Sequence, residues 1–459
     1  MNNYDTFIAS KEYILENSGF DVNVNTLNSA MFEFERDITR WALAKGKAAI
    51  FADCGLGKTL MQLEWANQIY QRTGGKILIL APLTVTQQTK NEGEKFGINA
   101  NICESQNDVK PGINITNYEK LSKFDTDDFI GVVLDESSIL KSFTGKVRTQ
   151  IISSFINTPY RLACTATPAP NDYMELGNHA EFLNVMTREE MLAMYFVHDS
   201  GQTSKWRLKK YAEDVFWNWM ASWAVFIDNP NNLGYHMEGY ELPNLKIKEI
   251  IVDGDEPSTD VLTLTERRKA RKDSINLRCQ AAADLVNNSD EQWLVWCDLN
   301  DESQGLYDII EDSFQVRGSD KPAYKSQTMQ EFSDDYIKCL ITKPSIAGFG
   351  MNWQQCHNVI FVGLSDSYEQ YYQAVRRCWR FGQIQEVNVY IIISAKEGCV
   401  KANIERKQED AKKMSNTMIE LTKDITQKEL QQTCRLTTPY EAAKTMELPR
   451  WEEFMNECA

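Results

Sequence analysis

Residues 51–70 read FADCGLGKTLMQLEWANQIY. The apolar run AAIFA (48–52) leads into them and reads as a buried strand, and the stretch from Thr59 to Tyr70 reads as a helix. Between the two lies a short glycine-rich turn. Gly55 and Gly57 let the backbone curl until its N–H groups face one anion, and the helix N-terminus beyond adds its dipole. In that arrangement Lys58 reaches the β- and γ-phosphates of a nucleotide and Thr59 offers a hydroxyl to Mg²⁺. Ala52 stands at the first position of the pattern, where glycine is usual. The structural alternative is an ordinary strand-to-helix turn that binds nothing.

Working outward, short apolar or β-branched runs alternate with helical stretches. KILILAP (76–82), NITNY (114–118), GVVLDE (131–136) and RLACTAT (161–167) follow the opening strand. The pattern starts again with QWLVWC (292–297), FQVRG (314–318), YIKCLIT (336–342), NVIFVGL (358–364) and VNVYIII (387–393). Such runs indicate buried parallel strands in βαβ units, so the expected class is α/β with two parallel-sheet domains. The expected division is 1–168, a helical insertion or linker at 169–279, 280–395, and a helical tail at 396–459. The insertion carries SKWRLKK and EDVFWNWMASWAVF, with Trp206, Trp217, Trp219 and Trp223, and then TERRKARKD (265–273).

The chain has 459 residues, 65 acidic against 49 basic, and a net charge of −16. That balance disfavours a protein that coats nucleic acid nonspecifically, and still allows a basic groove on an acidic body. There is no apolar run of about 18 residues and no secretory signal, so neither a membrane span nor a membrane partner is expected. Eleven cysteines without a C-x-x-C, and only four histidines, argue against a zinc site and for reduced thiols in a cytoplasmic protein.

VVLDESSIL (132–140) complements the phosphate loop. Asp135 ends an apolar strand, where a carboxylate can hold the Mg²⁺ shell, and Glu136 beside it can orient or deprotonate the attacking water. Phosphoryl transfer needs that division of labour.

Taken in order, these stretches resemble the motifs of superfamily-2 helicases and translocases of the DEAD/DEAH type, and within them the Swi/Snf-like branch. AxxGxGKT is at 52–59, ILAPLTV at 79–85, ITNYE at 115–119 and DESS at 135–138. TATPAPNDYMELGNHAEFL (165–183), IAGFGMNWQ (346–354) and QAVRRCWRFGQ (373–383) complete the set. With its helical insertion, the arrangement looks most like compact phage-encoded helicases. The resemblance implies two RecA-like domains in tandem, ATP and Mg²⁺ as cofactors, and DNA, duplex or single-stranded, as partner. It also implies a role in phage DNA replication or recombination, alongside proteins of those processes in the host cytoplasm. A second reading stays open: a partner-activated remodelling or restriction-type motor NTPase that separates no strands.

By the same resemblance, Gln373, Arg377 and Arg380 join Glu136 in catalysis, with Arg380 as arginine finger; Arg376 is read as support or a surface pair. Thr59 and Asp135 hold the metal. Family members usually carry a glutamine upstream of the phosphate loop that reads adenine, and Glu35 stands there instead. An ionised glutamate only accepts hydrogen bonds, so either adenine N7 goes unread or Arg36 nearby helps. Pro82, Thr84, Asn117, Tyr118, Thr342 and Gly348 are expected to line the nucleic-acid groove. Two basic runs, Lys205, Arg207, Lys209 and Lys210, then Arg267, Arg268, Lys269, Arg271 and Lys272, are candidates to assist. The tryptophans at 217, 219 and 223 are expected to pack the insertion's own core rather than stack on bases.

Overall fold

A computed structural model describes residues 16–83, 85–142, 145–170, 172–199, 202–254, 264–348, 351–365 and 367–434. The first domain holds β1 (Lys47–Ala52), β2 (Lys76–Ala81), β3 (Ala100–Ile102), β4 (Ile113–Asn117), β5 (Phe129–Asp135) and β6 (Tyr160–Cys164). A hairpin, β7 (Phe196–Asp199) and β8 (Gln202–Leu208), follows, and then β9 (Ala224–Ile227). The second domain holds β10 (Leu245–Ile251), β11 (Trp293–Cys297), β12 (Ser313–Gln315), β13 (Cys339–Thr342), β14 (Asn358–Val362) and β15 (Val387–Ile393).

The first sheet runs β3-β4-β2-β5-β6-β1-β9 and the second β10-β15-β14-β11-β13-β12, with all the pairings parallel. Helices cover both faces of each, as buried parallel sheets require. These are two parallel-sheet α/β domains. The ten apolar runs singled out in the sequence are all strands here.

The stretch 169–279 corrects the expected division. It is not a helical insertion: β9 hydrogen-bonds to β1 at the edge of the first sheet, and β10 pairs with β15 at the edge of the second. SKWRLKK, expected to be helical, supplies most of β8. Trp217, Trp219 and Trp223 are buried in the first domain's own core, beside Phe51 and Phe226. The helix Glu213–Ala221 and the strand after it therefore belong to the first domain. The helix over TERRKARKD is present as Leu264–Asp273.

The expected tail helix is one continuous element, Gly398–Cys434, 37 residues long. At 1.5 Å per residue it extends about 55 Å. It leaves the second domain, where Ala411 packs on the core, and runs back along the first. There Met418 and Ile419 are buried in one apolar cluster and Leu430 in another, and Lys45 pairs with Glu429 at 3.0 Å. It is a strap over both domains. Residues 435–459, with the terminal MELPRWEEF, lie outside the described residues. Among the described residues no helix is long and apolar enough to cross a membrane.

Candidate functional site: a nucleotide cavity between the domains

Parallel sheets present their functional loops at the C-terminal ends of the strands, and both domains follow that rule. β1 ends at Ala52, and the loop 53–57 turns into the helix Lys58–Thr73. Gly55 (φ 88°) and Gly57 (φ 68°) adopt left-handed backbone, as the curled loop requires. A Cβ on Gly57 would lie 1.8 Å from Glu35 Oε1, so glycine also makes room for that carboxyl. Lys58 Nζ donates to the Ala52 and Asp53 carbonyls at 2.7 and 3.1 Å.

Two strands away, Asp135 ends β5. Gln62 Nε2 donates to its Oδ1 at 2.8 Å, and the Glu136 N–H donates to the same oxygen at 3.2 Å. Both bonds land on Oδ1, which leaves Oδ2 for a cation. Burial raises the Asp135 pKa, and Gln62 and Lys58 oppose it. Glu136 follows in left-handed backbone (φ 53°, ψ 56°), sparsely populated for a residue with a side chain. Such strain persists only where surrounding structure enforces it, and here it turns the carboxyl into the cavity. Burial pushes the Glu136 carboxyl up to about 7, against the pull of Lys58. The Thr165 hydroxyl reaches Glu136 Oε2 at 3.4 Å.

The second domain closes the site. Arg377 Nη1 and Arg380 Nη1 donate to the Met351 carbonyl at 3.1 and 3.2 Å, which aims both guanidinium groups toward the first domain. Burial, and then Arg377 beside it, lowers the Arg380 pKa to about 10. A cavity of about 220 Å³ results, bounded by Gly55, Gly57, Lys58, Thr59, Asp135, Glu136, Arg377 and Arg380. Three cations and several carboxyls thus face one space, a setting for a polyanion carrying a divalent metal. Thr59 and Asp135 are the residues that would hold Mg²⁺, and the free side of Asp135 fits it.

Glu35 also lines the cavity. Its Oε2 accepts from the Phe32 N–H at 2.9 Å, in a capping box that starts the helix Glu33–Lys45. The expectation of a permanently ionised acceptor is revised: burial pushes this carboxyl up to about 7, so near neutrality much of it is the neutral acid, which can donate as well as accept. Arg36 is half-buried beside it and is not among the residues lining the cavity. Gln373 is buried, and among the described residues neither polar atom of its amide has a hydrogen-bond partner. It does not line the cavity.

Glu92 was not legible in the sequence. It sits on the polar helix Thr86–Lys95, lines the cavity with Phe96 one turn on, and accepts a hydrogen bond from the Thr59 side chain. Burial raises its pKa, and Arg380 opposes this. The i, i+4 pair of acid and aromatic was the available signal.

Of the residues expected in a nucleic-acid groove, Pro82, Asn117, Tyr118 and Thr342 lie at or just after strand ends, and several side chains are already engaged. Pro82 follows β2 and is half-exposed; Asn117 ends the adjacent β4. Asn117 is buried and accepts from the Lys120 N–H, and the Tyr118 hydroxyl donates to the Asp135 carbonyl at 2.6 Å. Thr342 is buried with its hydroxyl on Val316, and Gly348 ends a short helix. These four can offer a nucleic acid backbone groups rather than side chains. Thr84 lies outside the described residues. Of the basic runs, Lys209 donates to the Ala193 and Met194 carbonyls, and Arg271 is tied to Glu302 and Asp298. Arg207, Lys210, Lys269 and Lys272 are exposed, while the side chains of Lys205, Arg267 and Arg268 are not described.

Residues 34–194 match the profile of the SNF2-related domain, and residues 278–382 that of the helicase conserved C-terminal domain. Each profile falls on one of the two parallel-sheet domains. The two matches cover the loop at 53–59, the 135–136 carboxylates and the arginines at 377 and 380, so each contributes one wall of the cavity. Among solved structures, the chain is similar to the Sulfolobus solfataricus SWI2/SNF2 ATPase core in complex with dsDNA. That likeness has 16% identity and a TM-score of 0.41, over 90% of this chain and 98% of the other. No curated protein gives a significant match.

Proposed function

We propose that this SNF2-like ATPase hydrolyses ATP and couples the cycle to movement along DNA. The observation that carries the reading is the shared cavity: Lys58, Asp135 and Glu136 come from one domain, Arg377 and Arg380 from the other. A site split in this way changes shape when the domains move, so hydrolysis and motion are one process. The loop N–H groups and Lys58 bind the phosphates. Glu136 accepts the proton of the attacking water, and Arg380 supports the charge of the transferring phosphoryl group. Mg²⁺, held by Thr59 and Asp135, would neutralise phosphate charge when bound. Glu35, as the neutral acid, is suited to donate to and accept from a nucleobase edge.

The SNF2-related and helicase domains support DNA as the track, with the C-terminal ends of β2, β4 and β13 as its groove. The test is ATP turnover by the purified protein alone and with single-stranded DNA, duplex DNA or RNA, at two salt concentrations. Strong, salt-sensitive stimulation by one DNA form supports the reading and names the track. A basal rate that no nucleic acid changes would move the assignment to a partner-activated motor NTPase.

A further inference from the structure

One helix of the second domain reaches past the cavity to hold the first domain from another side. On Tyr368–Val375 and its C-terminal neighbour, Glu369, Tyr372 and Arg376 are spaced i, i+3 and i+7, on one face. At one end, Arg376 Nη2 donates to Asp53 Oδ2 at 2.6 Å and to the Cys54 carbonyl at 3.0 Å. The Tyr372 hydroxyl donates to Asp53 Oδ1 at 2.6 Å. At the other end, Glu369 accepts from the Thr167 hydroxyl at 3.2 Å and pairs with Lys141. Arg376 is only 5% exposed, so it is neither a surface pair nor one of the groups lining the nucleotide cavity.

Asp53 is the first residue of the phosphate loop. Its side chain also accepts from the Cys54 N–H at 2.6 Å, and its carbonyl takes one of the two hydrogen bonds that hold Lys58. A chain of contacts therefore runs from Arg376 through Asp53 to Lys58. Arg377 follows Arg376 directly, so the same contact fixes where the cavity's arginines stand.

We propose that Asp53, Arg376 and Tyr372 form an interdomain latch, by which the second domain grips the phosphate loop and makes domain separation and loop reshaping a single event. The three are positioning residues. The ion pair, with Arg376 buried and Asp53 partly exposed, holds the two domains together, and removing either partner takes away the opposite charge that the other faces. The latch rests on the ATPase reading only for its effect on turnover.

The experiment measures the gap between the domains directly. Dyes are attached through genetically encoded azides at exposed Ile156 and Tyr336, one on each domain, and energy transfer is read on single molecules without nucleotide. The expected result is one closed population in the unmodified chain. In Asp53→Asn and Arg376→Gln it shifts to lower transfer; Arg376→Lys, which keeps the charge, recovers most of it. Turnover of each single variant falls about tenfold, and the double variant falls no further, as for two partners of one contact. Tyr372→Phe, which removes one hydroxyl, shifts transfer the same way by less and decides the matter if the charge variants fail to fold. Unchanged transfer in the variants, or losses that multiply in the double variant, would overturn the latch. If transfer responds as expected but the unmodified chain hydrolyses no ATP, the latch stands and the ATPase reading falls.

Discussion

Replacing Glu35 by glutamine tests the electrostatics of the cavity without disturbing its shape. Burial raises this carboxyl from an ordinary value near 4.5 to about 7. The folded chain therefore holds its proton more tightly than the unfolded chain. The stabilisation this gives is fully present below pH 4.5 and is lost as the pH rises through 7. The whole difference, roughly 2.5 pH units, corresponds to about 3 kcal/mol. Between pH 5.5 and 8.5 the chain loses about 2 kcal/mol of it, because the unfolded group has already ionised at the lower pH. Glutamine is neutral throughout and its carbonyl can still accept from the Phe32 N–H. Comparing Glu35→Gln with the unmodified chain cancels other titrations. The variant should gain about 2 kcal/mol relative to the parent between those pH values, or about 5 °C in the midpoint of a domain of roughly 200 residues. Scanning calorimetry across the pH series reads this. A difference that stays constant with pH would refute the reasoning, by showing that Glu35 is ionised at neutrality and compensated in place.

Three further outcomes follow from the same geometry. Glu136, pushed up to about 7, acts as a base only when ionised. Turnover should rise with pH through that value, and a pH–rate profile flat between 6 and 8 would count against the assignment. Glu136→Gln should bind a fluorescent ATP analogue nearly as well as the parent and lose almost all hydrolysis; substantial residual turnover would mean another group activates the water. Leu430→Ala cuts a side chain of the strap helix that is 2% exposed and packed into the first domain's core. The cost should be about 2–4 kcal/mol, with faster proteolysis within Gly398–Cys434, and unchanged cleavage would show the strap is held elsewhere.

The phosphate loop, the 135–136 carboxylates and the arginine cluster were legible because each chemistry is written locally, as fixed residue types at fixed spacing beside a strand. Nine of the ten runs are inner strands, legible because burial on both faces leaves continuous apolar runs; the tenth, β12, is an edge strand. The other edges were not legible. β10 carries Lys246, Lys248 and Glu249 on a half-covered strand, so its run is broken by charge, and β9 is short and follows a helix whose tryptophans suggested a separate core. Contacts distant in sequence were hidden as well. Asp53 and Arg376 are 323 positions apart, and only their opposite charges, each within a motif, hinted at the pair. The raised pKa of Glu35 was not legible for a related reason: a sequence shows which acid is present but not the burial that shifts it.

The central claim is that two domains assemble one site for ATP hydrolysis, and Arg380→Ala tests it most directly. Arg380 comes from the second domain, so the loop that binds phosphate is left whole. Single-turnover hydrolysis and analogue binding should be measured on the same preparation. The account predicts that hydrolysis falls by about 10³-fold or more, as for loss of an arginine finger, while nucleotide affinity changes little. Equal loss of affinity and rate would contradict it, and would make Arg380 a structural arginine rather than a partner of the transition state.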